Sequence, residues 1–189
     1  MSVAMRKPSG AQTRTRSAIL TATASVLARD RTATMPEIAE AASVGRTTLH
    51  RYFADREGLI HAATMDAIQV VNEIIADAAT NHGPAIEAMR RVVAELVRVS
   101  DQIVFLFADP AVLRNIPPGQ QPNHQPILKL IKRGQKEGAF VSDLSPDWIE
   151  LALFALILRA CRDSGAGAVP RHTVVASVIR IFEHGVTPR

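Results

Sequence analysis

Residues 34–53, Thr-Met-Pro-Glu-Ile-Ala-Glu-Ala-Ala-Ser-Val-Gly-Arg-Thr-Thr-Leu-His-Arg-Tyr-Phe, constrain this chain more than any other segment. Thr34 stands three residues before Glu37, the spacing of a capping box. Pro36 falls in the first helical turn, where a missing N–H does no harm. Ile38, Ala39 and Ala42 give the helix one apolar side, and the helix has to stop near Ala42 because another begins at about Gly45. Two short helices joined by a three- or four-residue turn form a helix-turn-helix. Ala39 permits their close approach, Val44 plugs the corner and Leu49 anchors the second helix in the core. That leaves Arg46, Thr47, His50 and Arg51 on the outside of the second helix, with Gly45 at its start and Thr48 beside them.

Those residue types suit the major groove of DNA. Arg46 and Arg51 offer paired donors to guanine O6 and N7 or to phosphates, and Thr47 can meet a base edge or a thymine methyl. Thr48 and His50 suit phosphate oxygens, and Gly45 leaves backbone N–H groups open to a phosphate. Charge agrees with this placement. Residues 1–60 hold 9 Arg and Lys against 5 Asp and Glu, whereas residues 61–189 hold 13 against 13, so the whole formal excess of +4 lies in the first third.

The rest of the chain reads as helix throughout, with no strict alternation that would mark a strand. Residues 1–12 lack a period and are expected to form a flexible arm. Helices are expected at about 13–29, 55–79, 85–108, 126–137, 146–163 and 171–184. Thr34 and Ser145 act as caps, Pro146 opens the helix that follows, and Asn81-His82-Gly83-Pro84 is a breaker. Residues 109–126 hold Pro110, Pro117, Pro118, Pro122 and Pro126, and read as a loop with a short helix at 112–116. The expected fold is all-α. An arm over 1–12 precedes a three-helix DNA-binding domain over 13–54, and a larger helical domain covers 55–189.

At these residues the chain resembles the TetR/AcrR-type transcriptional regulators. The resemblance lies in Arg16-Ser-Ala-Ile-Leu20, in Thr34-Met-Pro-Glu-Ile-Ala39, in Val44, in Thr48-Leu49 and in Tyr52-Phe-Ala-Asp-Arg-Glu-Gly-Leu-Ile60, with Gly134-Gln-Lys-Glu-Gly138 further on. It implies a homodimer on a palindromic operator, and a larger C-terminal domain that dimerises through its last two helices. It also implies a pocket in that domain whose small-molecule ligand loosens DNA binding, with repression rather than activation as the expected direction. Thr48 inherits a phosphate contact. His50 stands where such proteins usually carry a tyrosine, and Arg56 replaces a usual lysine as a phosphate donor. Ser43 and Gly45 occupy positions usually held by glycine and serine, so the turn lacks its customary left-handed glycine and its customary cap.

The pocket implied by the resemblance would lie among the helices of residues 85–180, where Met89, Val93, Leu96, Phe105, Phe107, Trp148, Phe154 and Leu158 are candidate lining. Few charges sit among them, so a largely apolar ligand is expected. The helix from Pro146 is apolar almost all round and needs cover on more than one face. Leu151, Ala155 and Leu158 from it, with Val175, Val178, Ile179 and Phe182 from the last helix, are the candidate dimer contacts.

Other classes find little support. One cysteine, Cys161, excludes an intrachain disulfide framework and a multi-cysteine metal site. The five histidines outside the DNA-binding face lack metal-ligand spacing. No Ser/His/Asp order, glycine-rich phosphate loop or paired-carboxylate motif stands out, so neither catalysis nor a cofactor is expected. The apolar run at 151–158 is too short to span a membrane, and with no leader evident a cytoplasmic protein is expected. The alternative is a helical small-molecule scaffold or enzyme without a DNA-binding role.

Overall fold

The computed structural model describes residues 10–78, 80–165 and 170–186, and among them all regular structure is helical. The helices are α1 (Gly10–Arg29), α2 (Met35–Ala41), α3 (Arg46–Tyr52), α4 (Arg56–Asp77), α5 (Ala85–Arg98), α6 (Ser100–Phe107), α7 (Ala111–Arg114), α8 (Gln125–Lys136), α9 (Pro146–Gly165) and α10 (Arg171–Val186), with a 3₁₀ turn at Pro118–Gln120. The chain divides into two compact units after Asp66, inside α4. The division read from the sequence falls at 54/55, where α4 is about to start. The first turns of α4 belong to the N-terminal unit because Leu59 and Ala63 are buried there.

In the N-terminal unit, α1 packs on α2 and α2 on α3. Ile19, Leu20, Ala24 and Leu27 of α1 are buried with Ile38 and Ala39 of α2, Leu49 of α3, and Phe53. The Thr23 hydroxyl, also buried, donates to the Ile19 carbonyl at 2.7 Å and so avoids an unpaired polar group in this core. Helix α1 starts at Gly10, so residues 10–12 form its first turn rather than part of an arm. Residues 1–9 of the expected arm lie outside the described residues.

The C-terminal unit is a bundle in which α9 packs against α5, α6, α8 and α10, and α5 against α8 and α10. The single helix expected over 85–108 is two helices, broken at Val99, whose backbone (φ −102°, ψ 39°) leaves the helical region. No glycine or proline marks the break. A change in the apolar pattern accompanies it, since α5 buries one stripe through Met89, Val92, Val93 and Leu96, while α6 buries the consecutive residues 103–106. A helix covered on most sides needs several neighbours, and the bend brings α6 against α7 and α9.

Side chains fasten these ends. Glu137, just past α8, accepts the backbone N–H of Ala85 at 2.9 Å and so satisfies an orphan donor at the start of α5. Arg91 donates to the carbonyls of Ala78 (3.0 Å) and His82 (2.7 Å), tying down the connection between α4 and α5. Arg90 grips both carboxylate oxygens of Glu183 on α10 through Nε (2.6 Å) and Nη2 (3.0 Å). The turn expected around 164–170 falls largely on residues 166–169, outside the described residues. No described helix is long and apolar enough to cross a membrane.

Candidate nucleic-acid interface and ligand cavity

The helix-turn-helix is built from its caps inward. At the start of α2, both the Thr34 backbone N–H (2.6 Å) and the Thr34 hydroxyl (2.7 Å) donate to Glu37 Oε2. The hydrogen bonds from Thr34 hold the Glu37 carboxyl below the ordinary glutamate range. The turn that follows is a Schellman closure, in which Val44 N–H donates to the Ala39 carbonyl and Ser43 N–H to that of Glu40, each at 2.9 Å. Such a closure needs a left-handed residue, and Ser43 takes that conformation at φ 54°. The missing glycine is therefore not a missing turn: serine adopts the geometry and bears the strain.

Gly45 caps α3 with an extended backbone (φ −69°, ψ 149°) and no side-chain cap. The α3 register puts Leu49 in the core, at 1% exposure, and leaves Arg46, Thr47, His50 and Arg51 exposed, with Thr48 half-buried. Three positive or imidazole groups and a hydroxyl thus share one accessible helix face, the chemistry that base edges and phosphates call for. The Arg51 guanidinium lies 5.7 Å from the Tyr52 ring centroid, and Arg16 of α1 covers Phe53 at 5.5 Å. Arg56 has a different position from its neighbours. It is half-buried, and its Nη2 donates to the Arg31 carbonyl at 2.8 Å, while Nη1 is buried without a hydrogen-bond partner. In this structure it therefore holds the α1–α2 connection through Nη2.

The C-terminal unit contains a cavity of about 460 Å³. Its apolar wall comes from Val71 and Ile75 of α4, Leu96, Ile103, Phe107, Leu113, Ile127, Leu151, Leu153, Phe154 and Ile157. The rings of Phe107 and Phe154 meet edge to face, with centroids 4.6 Å apart. Of the candidate lining residues, Leu96, Phe107 and Phe154 are there. Met89 and Val93 instead face Ile179 and Phe182 in a closed α5–α10 contact, and Phe105 is core at 1% exposure. Leu158 is half-buried but does not line the cavity. Trp148 is on the outside, 60% exposed. Helical period identifies which residues are apolar, and only the packing tells a cavity wall from a filled core.

The polar part of the lining comes from Gln121, Asn123 and His124 of the proline-rich stretch and from Asp147 and Glu150 of α9. That stretch is pinned at several points. Gln121 Nε2 donates to the Ile116 carbonyl (3.0 Å), and Asn123 N–H donates to Asn72 Oδ1 (2.9 Å). His124 Nδ1 lies 3.1 Å from Glu150 Oε2.

On α9 and α10, Trp148 (60%) and Ile181 (57%) are exposed, as is Leu151 (58%), which also borders the cavity, beside exposed Ala152 and Ala155 and half-buried Val175 and Ile179. Val178 and Phe182, also candidates for dimer contacts, are buried within the subunit, Phe182 against Phe140 with centroids 5.9 Å apart. The apolar period of α10 spans two faces, and these two residues belong to the inner one. Among the described residues no three His, Cys, Asp or Glu side chains converge to hold a metal ion.

Comparison with known proteins agrees with this arrangement. Residues 19–63 match the family model for bacterial regulatory proteins of the tetR family. The chain is 31% identical over 180 residues, covering 94% of its own length and 93% of the relative's, to the HTH-type transcriptional repressor LfrR of Mycolicibacterium smegmatis. It is 26% identical over 159 residues to the HTH-type transcriptional regulator NfxB of Pseudomonas aeruginosa, covering 82% and 85% of the two chains. The crystal structure of LfrR in complex with proflavine superposes with a TM-score of 0.76 at 29% identity, covering 95% of this chain and 100% of that one. With an exposed basic recognition helix, a matching family model and a relative aligned over nearly its whole length, the chain belongs to the TetR family of bacterial transcriptional regulators and is a helix-turn-helix DNA-binding protein.

Proposed function

We propose that this protein is a repressor that binds a palindromic operator as a homodimer and leaves it when a small, largely apolar molecule fills the C-terminal cavity. The observation that carries this reading is the pairing of an exposed Arg46–Thr47–His50–Arg51 face with a cavity of about 460 Å³ on the same chain. Helix α4 connects them covalently. It begins at Arg56, beside the recognition helix in sequence, and carries Val71 and Ile75 of the cavity wall. The complex of the similar repressor LfrR with proflavine makes an aromatic compound of that size the first candidate class.

The exposed side chains of Trp148, Leu151 and Ile181 favour a second copy as the cover for α9 and α10. Two recognition helices spaced about 34–36 Å apart would meet successive major grooves, so a palindromic site follows from two-fold symmetry. Release needs only that the ligand favour a dimer geometry the operator cannot match. A coupling of about 1–3 kcal/mol changes operator affinity about 5- to 150-fold. The protein acts in this scheme by binding alone, without turnover.

Selection of bound duplexes from random DNA, at near-physiological salt, tests the reading. Recovery of a two-half-site palindrome, lost in the Arg46→Ala, Arg51→Ala double variant while the fold persists, is the expected result. A folded wild-type protein that enriches no sequence, with or without candidate ligands, returns the chain to the class of ligand-binding scaffolds.

A further inference from the structure

The cavity is apolar except along one edge, and the charges on that edge are of one kind. Asp147 and Glu150 stand three residues apart on α9, hence on the same face, and neither lysine nor arginine is among the described residues that line the cavity. His124 is the remaining titratable group in the lining. The Glu150 side chain keeps only 17% of its exposure, and its partner is His124 Nδ1 at 3.1 Å. The His124 side chain, in contrast, is 59% exposed and has room to leave for solvent.

Filling such a cavity expels water from around Glu150. A neutral ligand would then leave a buried carboxylate with less solvation and nothing in return, which is costly. A ligand carrying positive charge compensates that carboxylate directly. The aromatic rings of Phe107 and Phe154 in the same lining add a second attraction for positive charge.

We propose that the cavity selects apolar monocations, whose charge replaces His124 as the partner of Glu150, with Asp147 at the rim supplying a second negative charge. The inference deepens the ligand-release reading above and rests on it only for the consequence at the operator. His124 is then the resident hydrogen-bond partner that the ligand displaces from Glu150.

A matched pair of probes tests this: 10-methylacridinium, a permanent cation, and 9-methylanthracene, its neutral isostere. Both are titrated against the full-length protein, with fluorescence reporting binding and a labelled operator duplex reporting release. The wild type is expected to prefer the cation by on the order of 10- to 100-fold. Glu150→Gln removes that preference by weakening the cation, and the neutral probe binds at least as tightly as to the wild type because no carboxylate is left to desolvate. His124→Lys, which gives Glu150 a permanent partner, weakens the cation selectively, whereas His124→Gln does not. Asp147→Asn, at the exposed rim, reduces the preference by a smaller factor and serves as the second test if Glu150→Gln fails to fold. Equal or tighter binding of 9-methylanthracene by the wild type overturns the proposal, as does failure of both probes to bind. If the neutral probe alone binds and releases operator, charge selection is wrong and the ligand-release reading stands. If the cation binds with the expected preference but leaves the operator occupied, charge selection stands and the release reading fails.

Discussion

The Phe140 ring lies directly on Gly134: a Cβ built on that glycine would collide with Cδ2 and Cε2 of the ring. Gly134 sits in the last turns of α8, and its carbonyl accepts the N–H groups of Ala139 (2.8 Å) and Phe140 (3.1 Å) as the chain folds back. Left-handed Gly138 at φ 72° makes that return. Phe140, 1% exposed, then packs on Phe182 of α10. Absence of a side chain at residue 134 is what lets α8 and α10 share this ring. Gly134→Ala is therefore expected to cost about 1–3 kcal/mol by overpacking, measured by urea unfolding. In a Phe140→Leu background the same change is expected to cost distinctly less, and strictly additive effects would show that the two residues do not share the strain.

The turn before the recognition helix stores strain at a known place. Ser43 holds φ 54° where a glycine would be unstrained. Ser43→Gly is expected to stabilise the protein by about 1 kcal/mol, the left-handed penalty for an L-residue, and Ser43→Val to destabilise it by at least as much. Thermal melts of the three proteins provide the check. An unchanged or lowered melting temperature for the glycine variant would mean that the side chain contributes more than its backbone costs.

The roles of Arg46 and Arg51 separate in their salt dependence. An arginine bound to phosphate contributes about 0.9 to the slope of log K against log salt for duplex DNA. One that reads guanine changes sequence preference instead, at about 1–3 kcal/mol for its base pair. Binding curves for Arg46→Ala and Arg51→Ala across a salt series, on the selected operator and on single-substituted duplexes, assign each residue. Arg56→Ala is expected to behave differently from both. It removes the 2.8 Å bond to the Arg31 carbonyl, so its melting temperature falls as well as its affinity.

The cap of α2 gives the N-terminal unit an acid-sensitive element. Hydrogen bonds from Thr34 lower the Glu37 pKa, and hydrogen bonds from the Thr32 hydroxyl and N–H lower that of Asp30, with Arg56 adding a weaker attraction. A carboxyl whose pKa is depressed by folding stabilises the native state fully above its unfolded value. That is about 4.3 for glutamate and 3.9 for aspartate. The contribution disappears as pH falls through the lower folded values. Melts between neutral pH and pH 2 are therefore expected to lose stability less steeply in Glu37→Gln than in the wild type. Parallel curves would contradict the assignment.

Exposed Ile181 offers a test of the proposed dimer that leaves the cavity lining untouched. At 57% exposure its side chain has little to lose within the subunit. Ile181→Arg is expected to shift the protein toward monomer in sedimentation and to weaken operator binding, while its helical signal persists. Phe182→Arg, next to it in sequence but 4% exposed, should instead disrupt folding. Loss of fold from both would place residue 181 in the subunit core.

Much of this architecture was legible in the order of residues because its signals are local. Thr34 and Glu37, three residues apart, specify the start of α2. Leu49 must face inward if the turn is short, and that single constraint puts Arg46, Thr47, His50 and Arg51 outside. All-helical character follows from period alone. Tertiary structure decided what depends on meetings between distant segments. No local breaker marks the bend at Val99, whereas α6 needs it to lie against both α7 and α9. Phe182 and Ile181 are adjacent and equally apolar, and the packing of one face of α10 on Phe140 and on Met89 and Val93 of α5 makes one core and leaves the other at the surface. Likewise, Val71, Leu113 and Ile157 become one cavity wall, with Glu150 and His124 at its edge, only once residues from α4 to α9 pack around the same space. Helical period reports how apolar a face is, and the three-dimensional contact decides whether that face meets a neighbour, a cavity or water.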